Sequence, residues 1–457
     1  MFPKHLRDEL RDVVGQDNYL DQPEDLICYS YDAAISESLP EAVLLPKSTD
    51  QVASILKIAD REWIPVTPRG AGTNLSGGSV PEKRGIVLAF SRMNRIIEIS
   101  RENRLAVVQP GVVNGDLQAE LATYGLFYPP DPGSLYVSTL GGNVAENASG
   151  LKGVKYGVTR DYLLGLTVVM ADGRIIKTGG RTVKNVTGID LTSLFCGSEG
   201  TLGVITEITL KLFPRPEGQR SIQAVFSDLE AAGKTVTQII AAGILPVALE
   251  LMDHTSINLI EDYTHAGLPV EAAGLLLIMV DGVEESLDRQ VGTIAKICRD
   301  QGAAKVSVAN TPEEADALWA ARRNQFAVMT RVRPNCVAED ITVPVQHLPA
   351  MITAIRRIAE KYDLLIPTVA HAGDGNLHPH FLMDKADPDE WRRVKQAEAD
   401  MVKKAAELDG ALSGEHGIGT AKTNYLDLFL HKDSRNLMRD IKKVLDPRGI
   451  LNPGKLY

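Results

Sequence analysis

The sequence predicts an α+β protein with more than one domain, and three observations support this prediction. The chain has 457 residues, a length typical of two or three domains at roughly 150 residues each. Strand and helix patterns alternate over residues 41–215, and a Pro-rich break follows at Phe213–Gly218. A second series then runs β-α-β-(α)-β-α-β, the order of an antiparallel sheet with helices on one face. We therefore expect domains at residues 1–216 and 217–412, and a short helical C-terminal segment at residues 413–457.

The first domain begins with a βαβ pattern. Glu41–Pro46 is a short apolar strand, and Ser48 opens a capping-box spacing that predicts a helix. Ile64–Thr67 is the next strand, and it leads into a Gly-rich loop. Further along, an Asp-Gly pair at residues 172–173 predicts a hairpin, and the alternation over Val204–Leu212 predicts a half-buried strand.

Composition excludes several classes of protein. The net charge is −10, with 44% hydrophobic and 24% charged residues, which is ordinary for a globular chain. The pI is near 5.5 and no long Lys/Arg run is present, so a nucleic-acid partner is not expected. The four cysteines lie far apart without a C-x-x-C pair, which argues against an iron–sulfur cluster or zinc knuckle within the chain.

The same features predict where the protein works. Widely spaced cysteines suggest a reducing compartment rather than a disulfide framework. The N-terminal residues are charged and amphipathic, unlike a signal peptide. Apolar stretches such as Gly274–Val280 are far shorter than the roughly 20 residues that span a bilayer. We expect a cytoplasmic protein without a transmembrane segment, at most peripheral to the membrane through a partner.

A Gly-rich loop at Pro68–Pro81 is the first chemical signal. Glycines let successive backbone N–H groups face a phosphate, and neighbouring polar side chains add donors. The candidate ligand-binding residues in this loop are Gly70, Ala71, Gly72, Thr73, Asn74, Ser76 and Gly77. The loop lacks the helix of a dinucleotide fingerprint and the Walker lysine. A lone loop of this kind is as often a flexible turn, but three more Gly/Ser/Thr/Asn clusters follow at residues 129–134, 138–150 and 197–207. Together they indicate one long phosphate-containing ligand.

These four segments resemble the flavin domain of the vanillyl-alcohol-oxidase type, also called the p-cresol-methylhydroxylase (PCMH) type. From about residue 40 to 453 the chain resembles the family of FAD-linked D-lactate dehydrogenases and glycolate oxidase catalytic D subunits. The resemblance implies a two-subdomain PCMH-type FAD-binding domain, then a substrate or cap domain. The C-terminal segment would complete the active site and pack on the FAD-binding domain.

The resemblance also implies which residues contact FAD. The loop from Gly70 to Gly78 would hold the pyrophosphate, and Glu199 and Ile205 would lie against the isoalloxazine or adenine ends. The residues implied to line the flavin and ribityl chain are Pro130, Ser134, Thr139, Gly141, Gly142, Asn143 and Gly150. No histidine lies between His5 and His254, so FAD is expected to be bound non-covalently.

Histidines and one acid cluster in two short segments, His371–Phe381 and Ser413–Gly419. His378 and His380 alternate on one face of a predicted strand, and we expect His371 in the loop before it. Two neutral imidazoles and a carboxylate are a common ligand set for a catalytic divalent metal. A single buried histidine is more often an ordinary core residue, but glycines flank both segments and clear space around the cluster.

The resemblance implies the roles within this cluster. The metal ligands would be His371, His378 and Glu415, with zinc as the first choice and manganese or iron as alternatives. His416 would be the catalytic base. A metal lowers the pKa of a 2-hydroxy acid's hydroxyl group, an imidazole with an ordinary pKa of about 6.5 accepts the proton, and the hydride passes to flavin N5.

Two further positions bear on the substrate. Relatives place a carboxylate-binding arginine three residues after a tryptophan, here Arg322; the alternative is a solvated basic helix face. Relatives that oxidise D-2-hydroxyglutarate carry a lysine where this chain has Ala338, and an asparagine where it has His380. Both departures favour D-lactate or glycolate, with His380 contacting the substrate. D-2-hydroxyglutarate or another D-2-hydroxy acid remains the alternative.

The electrons must leave the chain, because it has no cluster, haem or nicotinamide motif. The candidate acceptors are an iron–sulfur partner subunit, an electron-transferring flavoprotein, a quinone or a cytochrome. We therefore expect an FAD-dependent D-2-hydroxy-acid dehydrogenase. Two rival hypotheses are a non-catalytic flavin electron-transfer subunit and the lipid-ether synthase branch, which uses FAD without net oxidation.

Overall fold

The structure, a computed structural model, describes residues 2–457, and these separate into two compact units. The first unit comprises residues 2–149, 158–215 and 415–457, and the second comprises residues 150–157 and 216–414. The break after Arg215 falls inside the Pro-rich segment. The sequence-based boundaries at residues 216 and 412 stay a prediction.

The helices and strands alternate through most of the chain. The α-helices are α1 (Lys4–Val14), α2 (Pro23–Ile27), α3 (Thr49–Glu62), α4 (Asn114–Ala122), α5 (Leu140–Glu146), α6 (Gly153–Tyr156), α7 (Leu191–Phe195), α8 (Leu229–Ala241), α9 (His254–Thr264), α10 (Glu284–Asp300), α11 (Pro312–Val332), α12 (Leu348–Tyr362), α13 (Pro388–Glu407), α14 (Leu426–Phe429) and α15 (Lys432–Leu445). The strands are β1 (Tyr19–Leu20), β2 (Ala42–Leu44), β3 (Val66–Arg69), β4 (Ile86–Ala89), β5 (Ile96–Ser100), β6 (Leu105–Val108), β7 (Leu126–Phe127), β8 (Leu163–Val169), β9 (Ile175–Gly179), β10 (Val204–Lys211), β11 (Phe213–Pro214), β12 (Gly218–Phe226), β13 (Ala248–Asp253), β14 (Gly274–Gly282), β15 (Ala303–Val308), β16 (Asn335–Ala338), β17 (Ile341–Thr342), β18 (Thr368–His371) and β19 (Asn376–Met383).

The first sheet of the first unit has the order β1-β2-β4-β3, with β2, β4 and β3 parallel. Helix α3 connects β2 to β3, and its N-cap residue Ser48 accepts a hydrogen bond from the Gln51 backbone N–H at 3.3 Å. The apolar face of α3, with Ile55 and Leu56 fully buried, packs into the same core cluster as the sheet residue Leu88. The predicted βαβ unit is confirmed, and the Gly-rich loop begins where β3 ends.

The second sheet of the first unit is antiparallel, with the order β5-β6-β10-β8-β9. Strands β8 and β9 form the predicted hairpin around residues 172–173, where the Met170 N–H donates to the Arg174 carbonyl at 2.9 Å. Buried and partly exposed residues alternate along the second half of β10, in agreement with the predicted half-buried strand.

The second unit is built on an eight-stranded antiparallel sheet. The order is β15-β12-β14-β13-β18-β19-β16, and β17 also pairs with β19. Strand β14 reads as a nearly continuous apolar run; its residues Leu275 and Leu277 share one buried cluster with Trp319 and Met329 of α11. The predicted α+β class with an antiparallel sheet is confirmed.

Two registers in this sheet determine the geometry of the candidate site. In the pairing of β13 with β18, Glu250 lies opposite His371. In the pairing of β16 with β19, Ala338 lies opposite His380. Side chains directly opposite each other on antiparallel strands project to the same face and are close neighbours. The sheet therefore places chemistry-bearing residues from distant parts of the sequence side by side.

Over residues 2–457, none of the helices is both long enough and apolar enough to cross a membrane.

Candidate active site

The Gly-rich loop after β3 meets the segment before α5. A side chain at Gly70 would overlap Thr139 Oγ1, so only glycine allows this close approach. Gly77 has φ of +80°, a conformation that favours glycine. Two of the four predicted ligand-binding segments are thus brought together, one carrying residues 70–77 and the other residues 139–143.

Three buried polar atoms in the second of these segments suggest a ligand. Ser138 Oγ, Thr139 Oγ1 and Asn143 Nδ2 are buried and form no hydrogen bond within the part of the chain that the structure describes. Buried polar groups almost always have a partner, so each such group calls for an explanation. Oxygen atoms of a phosphate, ribityl chain or flavin ring would satisfy the hydroxyl and amide donors. The residues present therefore fit FAD.

Glu199 joins the same part of the first unit through its backbone. Its N–H donates to the Ala145 carbonyl in α5 at 2.9 Å, and its carboxylate accepts from the Ile418 and Gly419 N–H groups at 2.7 and 2.8 Å. Burial raises the pKa of Glu199, and these two backbone hydrogen bonds lower it only in part. Glu199 therefore connects α5 to the C-terminal segment as well as lying beside the predicted flavin-binding residues.

The remaining predicted FAD contacts are less directly grouped. The Pro130 carbonyl accepts from Asn114 Nδ2 at 3.1 Å, and the Ser134 carbonyl accepts from the Ser138 N–H at 2.8 Å. Ile205 is buried in β10. Gly150 is the first residue of the short segment that belongs to the second unit, so the structure does not group it with the other predicted contacts.

The two predicted histidine ligands lie close together in the second unit. The ring centroids of His371 and His378 are 5.0 Å apart. His371 is the last residue of strand β18, so its expected position in a loop was wrong; pairing with β13 extends the strand through this residue. Glu415 follows Gly414 directly, and the Gly414 N–H donates to Asp340 Oδ2 at 2.9 Å. The position of Glu415 is thus restrained by the adjacent chain.

Hydrogen bonds at Nδ1 orient both imidazoles. His371 Nδ1 lies 2.8 Å from Glu250 Oε1, and His378 Nδ1 lies 3.2 Å from the Glu339 carbonyl oxygen. A carbonyl or carboxylate oxygen only accepts, so Nδ1 carries the proton in each ring. In the neutral rings the Nε2 lone pair is then the metal-binding atom. This arrangement, an imidazole held by an oxygen behind it, is typical of metal-binding histidines, and the donor set fits a divalent metal.

Glu250 is a site residue that the sequence-based interpretation missed. It is fully buried in β13, and its Oε2 lies 2.8 Å from both Nε and Nη2 of Arg322. Burial raises the pKa of Glu250, but His371 and Arg322 outweigh that effect and hold the pKa below its usual range. The available signal was a charged residue inside the apolar strand Val247–Met252, because burial of a lone charge is costly.

Arg322 takes part in a largely buried set of side-chain hydrogen bonds and does not lie on a solvated helix face. Its side chain is only 11% exposed, so the alternative interpretation of a basic helix surface does not hold for it. Besides Glu250, it donates from Nη1 to Gln325 Oε1 at 3.1 Å. Gln325 Nε2 in turn lies 3.0 Å from His380 Nε2. The second unit therefore contains a continuous network of side-chain hydrogen bonds. It runs from His371 through Glu250, Arg322 and Gln325 to His380.

His416 lies next to Glu415 in the chain and in space. Its Nε2 is 3.9 Å from Glu415 Oε1, and both side chains are largely buried. The predicted base is thus beside a predicted metal ligand. Asp374, in the turn between β18 and β19, accepts from the Asn376 N–H at 3.3 Å.

Lys455 and Asn452 in the C-terminal tail make contacts that the sequence-based interpretation did not identify. Lys455 Nζ donates to the carbonyl oxygens of Gly77 and Val80 at 2.6 Å each, and Asn452 Nδ2 donates to the Gly78 and Glu199 carbonyls. Three of these bonds join residues more than 370 positions apart in sequence, and the bond from Asn452 to Glu199 joins residues 253 positions apart. The resemblance implied that the C-terminal segment packs on the FAD-binding domain, but local sequence patterns do not identify the individual residues that make such distant contacts.

Comparisons with known proteins place this geometry in context. Residues 40–179 match the family described as "FAD binding domain", and residues 215–456 match "FAD linked oxidases, C-terminal domain". The chain is 47% identical over 458 residues to a glycolate oxidase subunit GlcD of Bacillus subtilis, covering all of this chain and 97% of that protein. It is 36% identical to a D-lactate dehydrogenase of Anaerostipes hadrus, covering 93% of this chain and 91% of that protein. The solved structure of p-cresol methylhydroxylase, 18% identical, superposes with a TM-score of 0.82 over 99% of this chain and 96% of that one, which shows a PCMH-type fold.

Proposed function

The chain belongs to the family of FAD-linked oxidases, and from this premise we propose that it oxidises a small D-2-hydroxy acid, D-lactate or glycolate, to the 2-keto acid. The observation that carries the proposal is the pair of His371 and His378, whose ring centroids lie 5.0 Å apart and whose Nδ1 atoms both face oxygen acceptors, which leaves the two Nε2 atoms for a metal. Glu415 would supply the carboxylate of the ligand set. A divalent metal, zinc before manganese or iron, would be held there through the two Nε2 atoms and the carboxylate.

The bound groups would supply two kinds of chemistry. A divalent metal polarises the hydroxyl group of the substrate and lowers its pKa, and FAD accepts the α-hydride. The residues of the chain supply binding, orientation and proton transfer.

Arg322 would hold the substrate carboxylate. Its Nε, one N–H of Nη2 and one N–H of Nη1 are used by Glu250 and Gln325. A guanidinium group has five N–H donors, so one N–H on each Nη nitrogen remains for a carboxylate. Because Glu250 and Gln325 fix the plane of the group, these two donors have a defined direction.

His416 would accept the hydroxyl proton of the substrate. An imidazole beside a metal-ligand carboxylate is suited to this role because its ordinary pKa lies close to neutrality. His371 and His378 have their Nδ1 protons committed to Glu250 and Glu339, which supports giving the role of base to His416 instead.

The substrate is proposed to be a monocarboxylate. Ala338 and His380 are cross-strand neighbours, so the two departures from the dicarboxylate pattern fall at one place. Ala338 offers no cation for a distal carboxylate. The printed names of the relatives, glycolate oxidase subunit and D-lactate dehydrogenase, support the same choice. D-2-hydroxyglutarate remains the alternative substrate.

The electrons would pass to an external acceptor. Relatives named as subunits support a partner subunit or another external acceptor. The candidates are an iron–sulfur partner subunit, an electron-transferring flavoprotein, a quinone and a cytochrome. The cytoplasmic location, peripheral to the membrane at most through that partner, stays a prediction from cysteine usage.

Keto-acid formation with an artificial electron acceptor tests the proposal. The purified protein should form one molecule of keto acid for every two electrons transferred to the acceptor. The kcat/KM should be highest for D-lactate or glycolate and lower for D-2-hydroxyglutarate. Absence of turnover with every 2-hydroxy acid would favour the non-catalytic electron-transfer subunit or the lipid-ether synthase hypothesis instead.

A further inference from the structure

We infer that Glu250 is a positioning residue that couples the metal ligand His371 to the substrate anchor Arg322. The inference rests on the proposed function, since it concerns the same metal and substrate sites. It adds that these two sites are not independent: one buried carboxylate orients a group in each.

The position of Glu250 in the sheet makes this coupling possible. Strand β13 lies between β14 and β18, and Glu250 is directly opposite His371 in the pairing with β18. The carboxylate is fully buried, and its two oxygens are divided between its partners. Oε1 contacts His371 Nδ1, and Oε2 contacts Nε and Nη2 of Arg322, all at 2.8 Å. A buried carboxylate with two such partners is held rigidly, because moving away from either partner would leave a buried charge without compensation.

The direction of each hydrogen bond follows from Arg322. A guanidinium group only donates, so the atom of Gln325 that faces it must be the amide oxygen. The Gln325 amide nitrogen then faces His380, 3.0 Å from its Nε2, and that ring nitrogen must accept. Glu250 likewise only accepts. The orientations of His371, Gln325 and His380 are therefore all determined by the single pair of Glu250 and Arg322.

This network has a consequence that a purely structural ion pair lacks. When Glu250 is replaced by glutamine, one of its two acceptor oxygens becomes an NH₂ donor, so His371 and Arg322 can no longer both be held by an acceptor, and both lose the negative charge beside them. Metal affinity and substrate affinity should then fall together. When only the distal part of the network is cut at Gln325, substrate binding should weaken without a change in metal affinity.

The test compares three variants of the full-length, FAD-loaded protein. Glu250→Gln keeps the size of the side chain and removes its charge. Gln325→Leu cuts the link to His380. Glu390→Gln is the matched control, because Glu390 forms an ion pair with a different arginine of the same unit, Arg333, at 2.7 Å. Zn²⁺ affinity is measured by competition with a chromophoric chelator, and KM and kcat are measured with D-lactate. The flavin absorbance spectrum checks that each variant retains its fold.

Glu250→Gln should raise the Zn²⁺ Kd about 10- to 100-fold and raise the KM for D-lactate at least about tenfold. Gln325→Leu should raise KM by several fold with the Zn²⁺ Kd within about twofold of wild type. Glu390→Gln should change neither.

A Zn²⁺ Kd of Glu250→Gln within twofold of wild type, in a protein that binds metal and turns over, would overturn the coupling and leave the proposed function intact. Wild-type protein that binds no metal would overturn both. If Glu250→Gln does not fold, an unchanged KM in Gln325→Leu would by itself overturn the network.

Discussion

Asp253 is a half-buried carboxyl group at the beginning of α9, where it accepts a hydrogen bond from the Ser256 N–H at 2.8 Å. Burial raises the pKa of Asp253 to about 6, and the hydrogen bonds from Ser256 lower it only in part. The ordinary pKa in an unfolded chain is about 3.9. The folded state therefore binds the proton more tightly, and Asp253 makes the free energy of unfolding fall as pH rises from about 4 to about 6.

Asp253→Asn should remove this pH dependence. Asparagine caps a helix as well as aspartate and is neutral at every pH. We expect the variant to be more stable than wild type at pH 7, by about 1–2 kcal/mol after allowance for solvent screening, and nearly equal at pH 4. Urea unfolding at both pH values measures this. Asp228→Asn, the same substitution at the exposed N-cap of α8, is the control for the change of N-cap residue. A pH dependence of stability in Asp253→Asn equal to that of wild type would contradict the assignment.

His416→Ala tests the proposed base. Loss of a positioned general base lowers kcat by about 10²- to 10⁴-fold. FAD content and Zn²⁺ binding should remain, because His416 is not one of the three proposed metal ligands. Rapid-mixing and steady-state kinetics with D-lactate give the rate, and His431→Ala, at an exposed histidine of the same segment, is the control. A kcat within tenfold of wild type would remove His416 from the mechanism.

Among individual residues, the sequence singled out those that stand in motifs. It missed Glu250, which lies on a different strand from the residues that it contacts. His371, His378, Glu415 and His416 stood out because glycines surround them and they lie in two short runs. Glu250 lies more than one hundred positions from His371, and only the pairing of β13 with β18 brings them together. Strand pairing depends on long-range packing, which local patterns do not encode.

The C-terminal tail acts as one element that restrains the Gly-rich loop. Its Lys455 is almost fully buried and donates to two carbonyl oxygens of that loop. Lys455→Met keeps the apolar length of the side chain and removes both charge-assisted hydrogen bonds. Because Gly77 belongs to the predicted pyrophosphate loop, we expect the FAD Kd to rise about tenfold or more.

Titration of the apoprotein with FAD, followed by flavin fluorescence, measures this affinity. Lys432→Met, at an exposed position at the start of α15, provides a control with the same change of charge. If both variants bind FAD as tightly as wild type, the tail contributes nothing to cofactor binding.

Elements with strong local signals were predicted well, and element ends were not. The helix α3, the hairpin of β8 and β9, and the strand β10 each carry a cap, a turn pair or an alternation. His371 was expected in a loop, but it closes β18 because a neighbouring strand supplies its hydrogen bonds. A strand end is decided by its partner, and the partner is not visible in the local sequence.

For the whole molecule, the four Gly-rich segments in order were enough to predict a PCMH-type flavoprotein. Their spacing over about 140 residues is much more specific than any one loop. The second unit carried less signal, since an antiparallel sheet with helices is common. Its function was inferred from the histidine cluster, and the network that supports that cluster required the structure.

Anaerobic mixing of the FAD-loaded protein with 2-hydroxy acids tests the central claim most directly, because it observes only the transfer of hydride from the substrate to the flavin. D-lactate or glycolate should bleach the flavin absorbance, L-lactate and D-2-hydroxyglutarate should do so far more slowly, and complete removal of metal should abolish bleaching until Zn²⁺ is restored. Bleaching at an undiminished rate in fully metal-free protein, or none with any of the four acids, would contradict the account.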